Sequence, residues 1–260
     1  MTGLFGLVPT MGALHAGHLS LVERAKSECK YVGASIFVNP AQFGPAEDFS
    51  AYPRPLQGDL ELLEKGGVDL VWVPTPEEMY PARFQSWVTV EEVSRPLEGK
   101  SRPGHFRGVA TVVAKLFNAF TPDIAYFGQK DAQQLAVIRR MVRDLNFPVK
   151  IIGCPTVRES DGLAMSSRNT YLGQEEREAA AVLFRALSAA KALHTAGELN
   201  GDKLRAEMRR VLQTEPLAVP EYVSLADPET MNELEKIDGS ALLSMAVRIG
   251  KTRLIDNLIL

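Results

Sequence analysis

Only two cysteines, Cys29 and Cys154, occur in the 260-residue chain. That is too few for a disulfide framework; a single bridge is the alternative, but the two do not have zinc-site spacing, and the pattern points to a reduced, cytoplasmic protein. Positive charge is not in excess either. Lys and Arg number 29 against 32 Asp and Glu, a formal net charge of −3. Nucleic-acid binders carry a basic footprint; this chain as a whole has none, which argues against a polyanion partner and leaves room for a small anionic ligand. Long apolar runs are missing, since nothing approaches the roughly 20 residues that span a bilayer. The start, Met1 to Pro9, lacks the basic and apolar segments of a secretory leader. There is no G-x-G-x-x-G and no complete P-loop. Gly99-Lys100-Ser101 and Gly250-Lys251-Thr252 look like the end of one, but Ser94 and Met245 stand where its first glycine belongs.

What is present is an ordinary globular composition, 45% hydrophobic and 23% charged, which excludes a disordered or coiled-coil chain. The length suits one large or two smaller domains. Short apolar runs at Leu4 to Val8, Val32 to Val38, Leu70 to Val73, Ile124 to Phe127 and Val149 to Ile152 predict buried strands. Amphipathic stretches at Leu19 to Glu28, Leu56 to Lys65, Val109 to Phe120 and Ala132 to Leu145 predict helices between them. Such alternation specifies an α/β fold with a parallel sheet covered on both faces, in which ligands bind at the carboxyl ends of the strands. After Arg168 the pattern changes. A long helix is expected over Gln174 to Ala196 and another over Lys203 to Thr214. Strands at Tyr222 to Leu225, Ala241 to Ile249 and Thr252 to Ile259 then form a small antiparallel sheet. A boundary near residue 156 therefore divides a Rossmann-like domain, 1–156, from a smaller α+β domain, 157–260.

The chemistry concentrates at three strand ends. Between the first strand and helix lies Pro9-Thr10-Met11-Gly12-Ala13-Leu14-His15-Ala16-Gly17-His18. His15 and His18 are three residues apart, so both rings can face one side of a helix start. The N–H groups exposed there favour phosphate. Two imidazoles at such a start would stabilise the charge that builds when a phosphate is attacked. The blander alternative is that one histidine caps the helix and the other packs. It is weakened by composition: two of only four histidines share this turn. Metal binding by the pair finds no further Cys/His cluster to complete it. Gly128-Gln129-Lys130-Asp131 follows a second strand and places Lys130 within reach of an anion, with Gln134 one turn further on. A solvated Lys-Asp surface pair is an equal alternative for that segment taken alone. Met165-Ser166-Ser167-Arg168 could wrap a triphosphate with Arg168 as clamp, or form a simple serine turn. Asn39 and Gln42 offer neutral amides at the end of another strand, although Asn39-Pro40 is also a turn former. His105 is placed in a loop before a helix, without an assigned role.

Together these segments resemble the pantothenate synthetase, or pantoate–β-alanine ligase, family. His15-Ala16-Gly17-His18 is similar to the HIGH element of the wider nucleotidyltransferase superfamily. Ser35 to Pro40 through Phe43, Gly128 to Asp131, Pro155 to Arg158, Met165 to Arg168 and Thr252 to Asn257 match in the family's order, over nearly the whole chain. The resemblance implies ATP-dependent condensation of (R)-pantoate with β-alanine through a pantoyl adenylate, with Mg²⁺ arriving on ATP. It implies His18 as proton donor, with His15 and Lys130 as catalytic partners. Met11, Gly12, Ala13, Leu14, His15, Ala16, Gly17, His18, Gly128, Gln129, Lys130, Asp131, Val157, Met165, Ser166, Ser167 and Arg168 are implied ATP contacts. Gln42, Gln134 and Asn39 are implied pantoate contacts, Gln42 also lying near β-alanine, and residues 40–52 are expected to close over the pocket. A homodimer is implied as well, with no nucleic-acid or membrane partner. Two departures stand out. Gln129 occupies a position where the family usually has Glu, and the chain begins almost at its first strand, where members generally carry a preceding helix. Another HIGH-motif adenylyltransferase and a catalytically silent nucleotide-binding module are the competing possibilities.

Overall fold

The structure, a computed structural model, describes residues 3–45 and 47–260. Met1 and Thr2, in the start expected to lack the features of a secretory leader, and Ala46, within the expected 40–52 cover, lie outside the described residues. The first half runs β1 (Phe5–Thr10), α1 (Ala16–Glu28), β2 (Tyr31–Ile36), α2 (Leu56–Lys65), β3 (Leu70–Trp72), α3 (Pro76–Met79), α4 (Glu98–Ser101) and α5 (His105–Phe120). It continues through β4 (Ile124–Gly128), α6 (Ala132–Asp144) and β5 (Lys150–Cys154). All five strands are parallel, in the order β3-β2-β1-β4-β5. The chain reverses its direction of winding between β1 and β4, and such a reversal opens a crevice at the carboxyl ends of the two strands.

Alternation along β1 shows how the sheet is buried. Leu7 joins a core with Phe117 of α5 and Ile138 of α6 on one face. Its neighbour Val8 joins Leu21, Val22 and Ala25 of α1 on the other. Both faces are thus covered, as continuous apolar strands require. The two cysteines are buried and free.

The second half comprises α7 (Gln174–Ala180), α8 (Val182–Thr195), α9 (Gly201–Leu212), β6 (Ala218–Ala226), β7 (Leu242–Ile249) and β8 (Thr252–Ile259). The antiparallel sheet, in the order β6-β7-β8, shares a core with the three helices. Three details differ from the sequence pattern. The stretch expected as one helix is interrupted at Ala181, and no residue there forces the break. β6 begins four residues before Tyr222 and includes Pro220 next to an irregularity, which an edge strand tolerates because its outer N–H groups need no partner. Helix α5 starts at His105, not Val109, so this histidine is the first helical residue and is buried, not part of a preceding loop.

Candidate active site

The turn after β1 is held by a carboxylate from α2. Asp59, only 2% exposed, accepts the N–H groups of Ala13 and Leu14, each at 2.8 Å. Gly12 (φ 80°) and Ala13 (φ 51°) are both in the left-handed region, which costs a residue with a Cβ about 1–2 kcal/mol. The two charge-assisted bonds from Asp59 offset that strain. Gly12 is required by proximity as well, because a Cβ there would meet Asp59 Oδ2 at 2.8 Å.

The histidines form the start of α1 itself. His15 is the N-cap, and its Nδ1 accepts the Gly17 N–H at 3.1 Å. His18, one turn on, returns the contact by accepting the His15 N–H on Nδ1 at 3.3 Å. This is a capping box built from imidazoles in place of the usual hydroxyl and carboxylate. Since both Nδ1 atoms are acceptors, each neutral ring carries its proton on Nε2. The ring centroids lie 4.2 Å apart. Gly17 permits this, because a Cβ there would meet the His15 ring 2.8 Å away. Burial lowers the His18 pKa to about 3, helped by His15 and Lys130, and burial with Lys130 lowers His15 too. The pair is therefore two neutral hydrogen-bond donors, not imidazolium ions. Capping and catalysis, alternatives from sequence, are compatible in one arrangement.

Around this start lies a cleft of about 220 Å³ whose walls include His15, His18, Gly128, Lys130, Asp131, Gln134, Val157 and the Met165–Arg168 segment. Ser167 Oγ donates to Ala13 O at 3.0 Å, tying that segment to the β1–α1 turn. Asn257 of β8 donates to the carbonyls of Gln129 and Lys130 at 3.0 and 2.8 Å, which fixes the turn carrying Lys130. Arg168 is paired within the protein: Asp48 accepts from its guanidinium at 3.0 and 2.8 Å. The far wall is apolar, with Phe37, Val109, Val112 and Leu116 beside Gln42 and Gln134.

Asn39 and Gln42 behave differently. Asn39 is 1% exposed and spends both Nδ2 protons inside the protein, on Gln42 Oε1 (3.0 Å) and Gly108 O (3.2 Å). Its Oδ1 accepts from the Ala41 N–H and from Tyr80 Oη. It orients Gln42, whose own Nε2 meets only the weak acceptor Met11 Sδ at 3.1 Å. His105, unassigned from sequence, supports the same residue: its Nδ1 lies 2.9 Å from Gln42 O. Burial first, then Arg102, lowers His105 to about 4. Its neighbour Arg102, in the same Arg102-Pro103-Gly104-His105 stretch, approaches the His105 Nε2 at 3.2 Å, a placement with no motif signal in the sequence.

The depressed histidines make stability depend on pH. His18 and His105 bind fewer protons folded than unfolded between about pH 6.5 and pH 4, so stability is full above that window and falls as pH drops through it. The slope is about 1.4 kcal/mol per pH unit for each such group. Urea midpoints are expected to be lower at pH 5.0 than at pH 7.5, before carboxylates titrate. Equal midpoints would contradict neutral, buried imidazoles.

A parallel α/β sheet with an anion-directed helix start, a lysine and a serine-arginine segment around one cleft defines a phosphate-handling enzyme of the Rossmann-like class. Comparison with known proteins narrows this. Residues 2–259 match the family model described as pantoate-β-alanine ligase. Pantothenate synthetase of Roseiflexus castenholzii is 63% identical over 260 residues, covering 100% of this chain and 94% of that protein. Among solved structures, pantothenate synthetase of Thermus thermophilus superposes with a TM-score of 0.96 at 51% identity, over 98% of this chain and 92% of that one. Pantoate-β-alanine ligase of Francisella tularensis, complexed with β,γ ATP and β-alanine, gives 0.80 at 37%, over 98% and 89%. The chain belongs to the pantoate–β-alanine ligase family, and its activity is that ligation.

Proposed function

We propose that the chain joins (R)-pantoate to β-alanine at the expense of ATP, through a pantoyl adenylate, with release of AMP and pyrophosphate. The observation that carries this is the convergence of two neutral imidazoles, a helix N-terminus and Lys130 on one cleft beside an apolar wall. The pantoate carboxylate attacks the α-phosphorus, and negative charge grows on the phosphoryl oxygens. The Nε2–H groups of His15 and His18, the positive end of α1 and the Lys130 ammonium would lie where that charge develops. His18 then acts by donating a hydrogen bond from a neutral ring. Ser166, Ser167 and Arg168 would hold the departing pyrophosphate, for which Arg168 must exchange Asp48 for phosphate oxygens. Pantoate carries two methyl groups and two hydroxyls. The apolar wall suits the methyls, and the amides of Gln42 and Gln134 suit the hydroxyls. The β-alanine amine finally attacks the acyl carbon, AMP leaves with the bonding electrons, and the amine nitrogen loses a proton.

Among the described residues no group of three His, Cys, Asp or Glu could hold a metal. Mg²⁺ would come with the ATP phosphates, and no step is assigned to it. The same proposal includes division of the chain near residue 156, a cytoplasmic location and a homodimer, the last checked by light scattering.

Product analysis with ATP, pantoate and β-alanine tests the function. AMP is expected to accumulate only when both acids are present. An adenylylated end product formed without β-alanine would instead indicate an adenylyltransferase, and tight ATP binding without turnover a silent module.

A further inference from the structure

β-Alanine brings a carboxylate into the cleft, and a carboxylate leaving water needs a cationic partner. The cationic side chains in the cleft wall are Lys130, Arg168 and Arg102. Lys130 stands near the two imidazoles, and Arg168 follows the serines tied to the β1–α1 turn. Arg102 is elsewhere, beside the substrate amide: its Nη2 lies 3.4 Å from Gln42 O, and His105 reaches the same oxygen. Its side chain is 14% exposed.

In the structure a carboxylate already fills that guanidinium. Glu47 takes Nε at 3.0 Å and Nη2 at 2.5 Å in a two-point pair. The next residue, Asp48, does the same to Arg168. Two consecutive acids thus occupy two arginines of the cleft. Where Asp48 sits, a phosphate would sit. Glu47 marks a second anion position, of carboxylate shape, near Gln42. A substrate carboxylate or phosphate can take these two guanidinium groups only if Glu47 and Asp48 withdraw from them. Because they are neighbours in sequence, they would leave together. Arg102 stays oriented without Glu47: Nη1 is 3.2 Å from His105 Nε2 and 4.0 Å from Glu98 Oε2, and Arg253 holds the Glu98 carboxylate at 2.7 Å.

We propose that Arg102 is the anchor for the carboxylate of the amine substrate, and that Glu47 occupies it until that substrate arrives. This rests on the function proposed above. The test compares β-alanine with its amide, which keeps the amine and lacks the charge, using purified enzyme with ATP and pantoate. For Arg102→Gln, the kcat/KM preference for β-alanine over the amide is expected to fall by about tenfold or more, the scale of lost hydrogen bonds to a charged group. Arg102→Lys should retain part of the preference. A purely structural role would depress both amines alike and leave their ratio unchanged, and that result would overturn the proposal. Glu47→Gln should act in the opposite sense and lower KM for β-alanine; a rise would overturn the occupying role of Glu47. Pantoate-dependent ATP–pyrophosphate exchange by the wild-type enzyme probes the adenylate separately. Its absence would count against the proposed function, whereas an unmoved ratio in an enzyme that performs exchange counts against Arg102 alone.

Discussion

Replacing His18 with alanine is expected to lower kcat by about 10²–10³-fold, the usual cost of removing one donor aimed at developing charge. The substitution also removes one half of the imidazole capping box, because the His15 N–H loses the Nδ1 that accepts it. That second effect costs stability of about 1 kcal/mol, which for a chain of this size lowers Tm by about 2–4 °C. His18→Gln separates the two. Glutamine is a standard third residue of a capping box, and its Oε1 can accept the His15 N–H. Thermal stability should therefore recover in the glutamine variant while kcat stays low. Near-normal turnover in His18→Ala would remove His18 from the chemistry. Loss and recovery of kcat in step with Tm would make it a capping residue alone.

Much of this arrangement was legible because it is local. His15 and His18 lie within one turn, and strand, turn and helix follow one another in the order that exposes a helix N-terminus. The alternation of apolar strands with amphipathic helices likewise specified the parallel sheet and its binding edge. What escaped the sequence is what sequence distance hides. Asp59 reads as one of several acids on an amphipathic helix, yet it holds Ala13 and Leu14 from 46 and 45 residues away. Glu47 and Asp48 lie in the 40–52 segment expected to close over the pocket, but their pairing with Arg102 and Arg168, 55 and 120 residues away, is visible only in the fold. Asn39 reads from sequence as a substrate amide, and its bonding to Gln42, Gly108, Ala41 and Tyr80 depends on three further elements converging. The start of α5 was placed late because Gly104 and His105 are weak helix formers, and burial against Gln42 outweighs their propensity.

Removing the Arg158 side chain is expected to cost about 3–5 kcal/mol of stability, more than any surface substitution in this chain. Its guanidinium forms a two-point pair with Asp256 at 2.7 and 2.9 Å, donates to the carbonyls of Gly162 and Asn257, and lies 4.2 Å over the Phe184 ring. Asp256 is 2% exposed, and burial pushes its pKa up even with Arg158 beside it. Without the arginine the carboxylate has to stay ionised in a poor environment or take up a proton. A carboxyl whose folded pKa is raised binds more protons folded than unfolded, so that state gains stability as pH falls. The difference in unfolding free energy between wild type and Arg158→Ala should therefore shrink between pH 7 and pH 5. Arg158→Ala combined with Asp256→Asn removes the orphaned charge and should recover part of the loss. The damage also reaches the cleft, because Asn257 next to Asp256 holds the carbonyls of Gln129 and Lys130. KM for ATP should rise in the single variant. A penalty below about 1 kcal/mol at pH 7, the level of an exposed ion pair, would show that Asp256 reaches water and that this pair does not brace the Lys130 turn.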